Sequence, residues 1–189
     1  PPDGDTCLER ISTSLSNAIP ELGDLLGALY SDFTSEAAAG VGRLVTEPPT
    51  EADLAAHHTR LKALALEGKM LLLIAHSQGN LFLNPAFDAL MSVDGFGVES
   101  VGTVHIAPAS ATLRGGYALA DLDLVVNVLL RALQLTTVPP SNVELPLAHL
   151  VFSDNSGHQL VPTYLNPIRD PVSLVTSIAD AQITALVPP

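Results

Sequence analysis

The chain contains one cysteine, Cys7, no tryptophan, and only 4% aromatic residues in all. A lone cysteine leaves no partner for an intrachain disulfide, so a small fold stapled by bridges is excluded, although secretion is not. With so few aromatic rings, an interior must be built from Leu, Val, Ile and Ala. Material for one exists, since 47% of the residues are hydrophobic and the mean hydropathy is +0.35. Basic residues are scarce too: 8 Lys and Arg face 20 Asp and Glu, for a net charge of -12. That balance argues against a nucleic-acid partner, whose phosphates need a basic face. It also disfavours electrostatic docking on anionic membranes. The ordinary reading of the acidity is a well-solvated surface. No apolar run approaches the roughly 18–20 residues of a transmembrane segment, and no charged start leads into the apolar core of a signal peptide. The opening Pro1-Pro2-Asp3-Gly4-Asp5 is not a usual translation start. It reads as a mature form, a trimmed form or a piece of a longer chain.

A length of 189 residues fits a single domain spanning 1–189, with a mostly helical segment, 1–68, before a core, 69–189. Asp5 or Thr6 can cap a helix through Ala18, and Pro20 opens another over Glu21–Glu36. Residues 37–49, rich in Ala, Gly and Pro, read as a connection. Thr50-Glu51-Ala52-Asp53 starts a third helix, expected to run to Leu66 and stop at Gly68. Strands and helices then alternate: strand 69–75, helix 78–91, strand 99–106, short strand 116–120, helix 123–134, strand 147–152, and a last helix from about Pro171 to Leu186. This alternation predicts an α/β fold, with a small parallel sheet of about four to five strands flanked by helices.

Residues 70–80, Met-Leu-Leu-Leu-Ile-Ala-His-Ser-Gln-Gly-Asn, carry the most functional information. An apolar run of strand length breaks sharply at His76-Ser77-Gln78-Gly79, and an amphipathic segment with helical spacing follows. Small residues two before and two after the serine, Ala75 and Gly79, permit the tight strand–serine–helix turn of a nucleophile elbow. Such a turn lifts the hydroxyl above the sheet edge and aims the first helical amides at the site of a developing oxyanion. The bland alternative is a serine capping an ordinary helix. A phosphate loop is disfavoured because the lysine and glycine spacing it needs are missing.

A serine needs a base to take its proton and an acid to orient that base. Both follow in the chain at the ends of expected elements. Gly116–Ala120 leads into Asp121-Leu122-Asp123-Leu124-Val125-Val126, and Leu147–Phe152 leads into Ser153-Asp154-Asn155-Ser156-Gly157-His158. In a parallel sheet these loops gather at the same carboxyl edge as Ser77.

The fragments AHSQGN, DLDLVV and SGHQLV make residues 69–186 resemble the α/β-hydrolase superfamily, particularly its serine esterases and lipases. The resemblance implies Ser77 as nucleophile, Asp123 as acid, His158 as general base, and the backbone N–H of Gln78 as an oxyanion-hole donor. Asp121 is the main rival for the acid, and Asp154, in the histidine's own loop, a more distant one. The chain departs from the family in its reduced, mostly helical N-terminal part. No His-Gly or Gly-Gly loop there supplies a second oxyanion donor, the nearest stretch being Ala39-Gly40-Val41-Gly42. The expected activity is hydrolysis of carboxylic esters through an acyl-enzyme. The substrate is a small-molecule or lipid-like ester whose apolar acyl group suits the Leu160–Leu165 region. A non-catalytic module of the same fold, kept for binding or assembly, is the alternative.

The other histidines have plainer readings. His57 and His58 are adjacent on a helix, diverge, and face solvent. His76 makes a structural hydrogen bond beneath the elbow. His105 is a satisfied, semi-buried residue at a strand end, and His149 is structural within a strand. No spacing suits a metal, and neither metal nor cofactor is expected.

Overall fold

The computed structural model describes residues 51–132 and 137–189. Cys7, the two expected N-terminal helices and the 37–49 connection lie outside them. The order of elements is α1 (Glu51–Leu66), β1 (Leu71–His76), α2 (Gly79–Leu90), a 3-10 turn (Val98–Ser100), β2 (Val101–Ile106) and β3 (Gly116–Ala118). A wide helix of the i→i+5 type (Val125–Ala132), α3 (Leu147–Phe152), a second wide helix (Leu160–Tyr164) and α4 (Asp170–Ala185) complete it. Helix α1 begins with Glu51 and Asp53 against its positive end. It stops at Gly68, whose φ of +73° suits a residue without a Cβ.

The described residues form an α/β fold with a small, open parallel sheet of three strands in the order β1-β2-β3. His76 stands opposite Ile106, and Ile106 opposite Ala118, so the three strands end level at one edge. The two faces of β2 divide the interior. Val101 packs with Leu71, Ala65, Leu90 and Phe96 on the side of α1 and α2. Val104 and Ile106 pack with Val126, Tyr164 and Val175 on the other side. Helix α4 crosses that second face so closely that a Cβ on Gly102 would lie 2.9 Å from Gln182 Cβ. The Gln182 side chain accepts the Thr103 N–H at 3.1 Å there. The result is a sheet covered on both faces, the arrangement a parallel sheet requires.

Residues 147–152 correct the expectation of a further strand, because they form helix α3. Among the described residues, the sheet is extended beyond β3 by a single bridge between Ala120 and Val143. That bridge occupies the edge where another strand would pair, so Leu147–Phe152 must satisfy its backbone internally. Burial follows a helical face: neighbouring His149 and Leu150 are buried while Phe152 is 83% exposed. The expected helix at 123–134 starts slightly later and is wound wider than an α-helix.

The approach of α4 is a packing limit that can be tested. A Cβ on Gly116 would fall 2.6 Å from Ile178 Cγ2, on a β-branched side chain with little freedom to yield. Gly116→Ala is expected to lower stability by about 1–3 kcal/mol through overpacking. The double variant Gly116→Ala/Ile178→Ala should recover part of that loss in denaturant titrations. Additive destabilisation would show that the contact is not limiting.

Candidate active site

The elbow forms where β1 hands over to α2. Ser77 adopts φ +54°, in the left-handed region, at a cost of about 1–2 kcal/mol for a residue with a Cβ. Its N–H donates to Ile106 O at 3.0 Å, so the turn is tied to the end of β2 as the sheet ladder stops. A Cβ at position 79 would meet Ala75 Cβ at 3.5 Å, an ordinary van der Waals contact. Gln78 is helical, with φ −58° and ψ −29°. Its N–H belongs to the first turn, where amides have no partner within the helix.

The other two residues arrive from loops at the same edge. Asp123 follows β3 at the start of the first wide helix, and His158 lies between α3 and the second wide helix. His158 Nδ1 is 2.9 Å from Asp123 Oδ2, and His158 Nε2 is 2.8 Å from Ser77 Oγ. A carboxylate can only accept, so the proton resides on Nδ1 and Nε2 of the neutral ring accepts from the serine hydroxyl. The structure therefore brings Ser77, His158 and Asp123 into one hydrogen-bonded line. Asp121 is not part of it. Its Oδ1 accepts the Leu145 N–H at 2.9 Å and fixes the segment whose Val143 bridges to Ala120.

Asp154 serves the loop rather than the imidazole. Its Oδ1 accepts from Ser156 N–H and Oγ–H (3.0 and 2.7 Å), and its Oδ2 accepts from Gln159 N–H and Thr163 Oγ–H (2.7 and 2.6 Å). Burial opposes its charge, but these hydrogen bonds prevail and hold its pKa below the usual carboxylate value. His158 is pulled both ways. Burial disfavours its charged form, the charge and hydrogen bond of Asp123 favour it, and the net pKa is raised above 6.5.

No protein-family model, curated protein or solved structure matches the chain.

Two contributors went unnoticed in the sequence. Tyr164 is fully buried; its hydroxyl donates to Asp123 Oδ2 at 2.7 Å and accepts the Ala120 N–H at 3.1 Å. Burial, reinforced by the Asp123 charge, raises its pKa well above 10 and keeps the proton in place. Asn80, also fully buried, bonds the Ser77 carbonyl. A tyrosine in an apolar run has no spacing signature. Asn80, a polar residue on the first turn after the serine, was the available signal.

His76 donates from Nε2 to the carbonyl of His158 at 2.7 Å, joining the elbow directly to the histidine loop. His149 lies in helix α3 rather than a strand and bonds Thr163 Oγ1 at 2.8 Å. His57 and His58 do not both face solvent. His57 is exposed with its ring against Phe82, whereas His58 is half-buried with no partner for Nε2 among the described residues. Among the described residues no cluster of His, Cys, Asp and Glu could hold a metal ion, and no helix is long and apolar enough to cross a membrane. A cavity of about 500 Å³ lies between α1, β1 and α2, lined by Leu61, Leu72, Ile74, Phe82 and Leu83, and it reaches the elbow at His76 and Gly79.

His105 is fully buried rather than semi-buried. Burial, with a smaller contribution from the Arg114 charge, lowers its pKa to about 4. As pH falls below the unfolded value of about 6.5, the unfolded chain takes up this proton and the folded protein does not. Stability is therefore full above about pH 6.5 and declines until about pH 4. His76 and His149, also lowered by burial, act in the same direction. Calorimetry of His105→Gln should show a smaller fall in Tm between pH 7 and 4.5 than the parent. Equal slopes would mean that His105 is not held neutral.

Proposed function

We propose that the protein is a serine hydrolase of the α/β-hydrolase type that cleaves carboxylic esters with an apolar acyl group. The observation that carries this reading is the unbroken line from Ser77 Oγ through His158 to the buried Asp123 carboxylate. In the first step Ser77 Oγ attacks the ester carbonyl while its proton passes to His158 Nε2. The imidazolium then protonates the leaving alcohol, and an acyl-Ser77 ester remains. Water, deprotonated by the same nitrogen, attacks that ester and releases the acid and the free serine. Asp123 holds the productive tautomer and offsets the charge that forms on His158. The Gln78 N–H stabilises the oxyanion of both tetrahedral intermediates. The largely apolar cavity beside the elbow, lined also by Phe82, His57 and His76, supports an apolar acyl group. The sheet of three described strands would then be part of a four- to five-stranded one.

A second reading, a non-catalytic module of the same fold, draws on the oxyanion hole. Gln78 is the only donor assigned to it among the described residues, and the stretch Ala39-Gly40-Val41-Gly42 lies outside them. Losing one such donor costs about 10²–10³ in turnover, so a hole of one amide would favour binding over chemistry.

A fluorophosphonate probe separates the two. Covalent labelling is expected in the parent and lost in Ser77→Ala and His158→Ala, and folded parent protein that stays unlabelled at neutral pH would sink the enzyme reading. A p-nitrophenyl ester series of increasing chain length then reads the acyl preference, with inertness across the whole series ruling out an esterase.

The pH profile gives a further test. The base must be neutral in the free enzyme, and its pKa is raised, so the acidic limb of kcat/KM should be centred above pH 6.5. Asp123→Asn removes the group that raises it, which should move the limb to lower pH and reduce turnover about 10⁴-fold. A limb that stayed in place would exclude His158 as the titrating base.

A further inference from the structure

Ser77 holds a left-handed backbone conformation, which a residue with a Cβ rarely adopts. Its carbonyl is gripped twice by a single residue: Asn80 N–H donates to it at 3.2 Å and Asn80 Nδ2–H at 2.8 Å. The same Nδ2 donates to Ile106 O at 3.2 Å, the carbonyl that also accepts the Ser77 N–H. Both ends of the strained residue are thus referred to one amide. The orientation of that amide follows from a chain of forced roles. The Arg114 N–H can only donate, and it points at His105 Nε2 over 2.9 Å. Nε2 must then be bare and the proton must sit on Nδ1, which lies 2.7 Å from Asn80 Oδ1. Oδ1 accepts, so Nδ2 is the atom left facing the Ser77 and Ile106 carbonyls. The same face of α2 holds the loop after β2 through Asn84, which donates to Ser110 Oγ and Thr112 O, and through Asp88, which pairs with Arg114. His105 therefore has a fixed support behind it.

We propose that Asn80, oriented by His105, is a positioning residue that holds the Ser77 peptide in the conformation aiming Oγ at His158. This rests on Ser77 being the nucleophile. Asn80→Asp keeps the shape and the acceptor for His105, but turns an oxygen toward two carbonyls. The brace predicts at least a tenfold lower kcat per active site, with KM within twofold, because aim is lost while the binding surface is untouched. Counting active sites by fluorophosphonate titration removes the contribution of unfolded protein, which a merely structural role would produce. A second pair of variants covers failure of Asn80→Asp to fold. His105→Gln offers an amide donor and acceptor in place of the two ring nitrogens, and His105→Leu offers neither. The Gln variant should turn over at least fivefold faster per titrated site than the Leu variant. If the parent labels and Asn80→Asp, or His105→Leu relative to His105→Gln, shows no loss of kcat per site, the brace is overturned while the nucleophile stands. If the folded parent itself does not label, the nucleophile reading fails and takes the brace with it.

Discussion

A fully buried carboxylate organises this fold. An ion taken out of water costs several kcal/mol unless its oxygens are satisfied, and Asp123 obtains its donors from separate stretches of chain. The Val126 N–H comes from the start of the first wide helix, Nδ1–H from the His158 loop, and the phenol from Tyr164 in the second wide helix. Tyr164 in turn accepts the Ala120 N–H at the end of β3, which refers the whole set back to the sheet edge. The approach is close. A Cβ on Gly157 would lie 2.2 Å from Leu122 O, and the glycine already takes φ +62°, so no other residue fits between the two loops without moving one of them.

Electrostatics around this ion select one histidine from several. Two buried carboxylates, Asp123 and Asp154, favour charge on His158 and raise its pKa. His76, His105 and His149 are each depressed chiefly by burial. Those three are neutral hydrogen-bonding parts with fixed tautomers. Against the opposing effect of burial, His158 alone of these four has its pKa raised, by the Asp123 charge and hydrogen bond.

Legibility in the sequence followed the range of the interactions. The elbow, α1, β1, β2 and α4 are local patterns, visible as an apolar run, small residues at set spacing, or a capped amphipathic stretch. Asp123 and His158 were legible because a loop at a sheet edge narrows the position of a side chain. Asp123 was preferred to Asp121 only through the resemblance, and the structure separates them by what each carboxylate accepts. Residues 147–152 misled because a six-residue, mostly apolar segment has no period long enough to distinguish strand from helix. What decides there is remote, namely whether the sheet edge is free, and Val143 occupies it. Tyr164 and the Asn80–His105 pair depend on contacts across 44 and 25 positions, which no local window contains.

The energetics weigh on the choice between catalyst and binding module. A buried ion pair is often less stable than apolar residues of the same volume, by about 1–4 kcal/mol, and a left-handed serine adds about 1–2 kcal/mol of strain. A surface used only to bind gains nothing from either. The proposed ester hydrolysis would use both. Strain would present the hydroxyl, and the buried carboxylate would stabilise the imidazolium that forms when the hydroxyl attacks. The bond from His76 to the His158 carbonyl adds a constraint of the same kind, since it fixes the separation of Ser77 and His158 through the backbone. In the proposed reaction that separation would be set before substrate arrives, leaving little orientation entropy to be lost. The extra bonds lie where attack geometry is decided, which is the distribution expected of a reaction site.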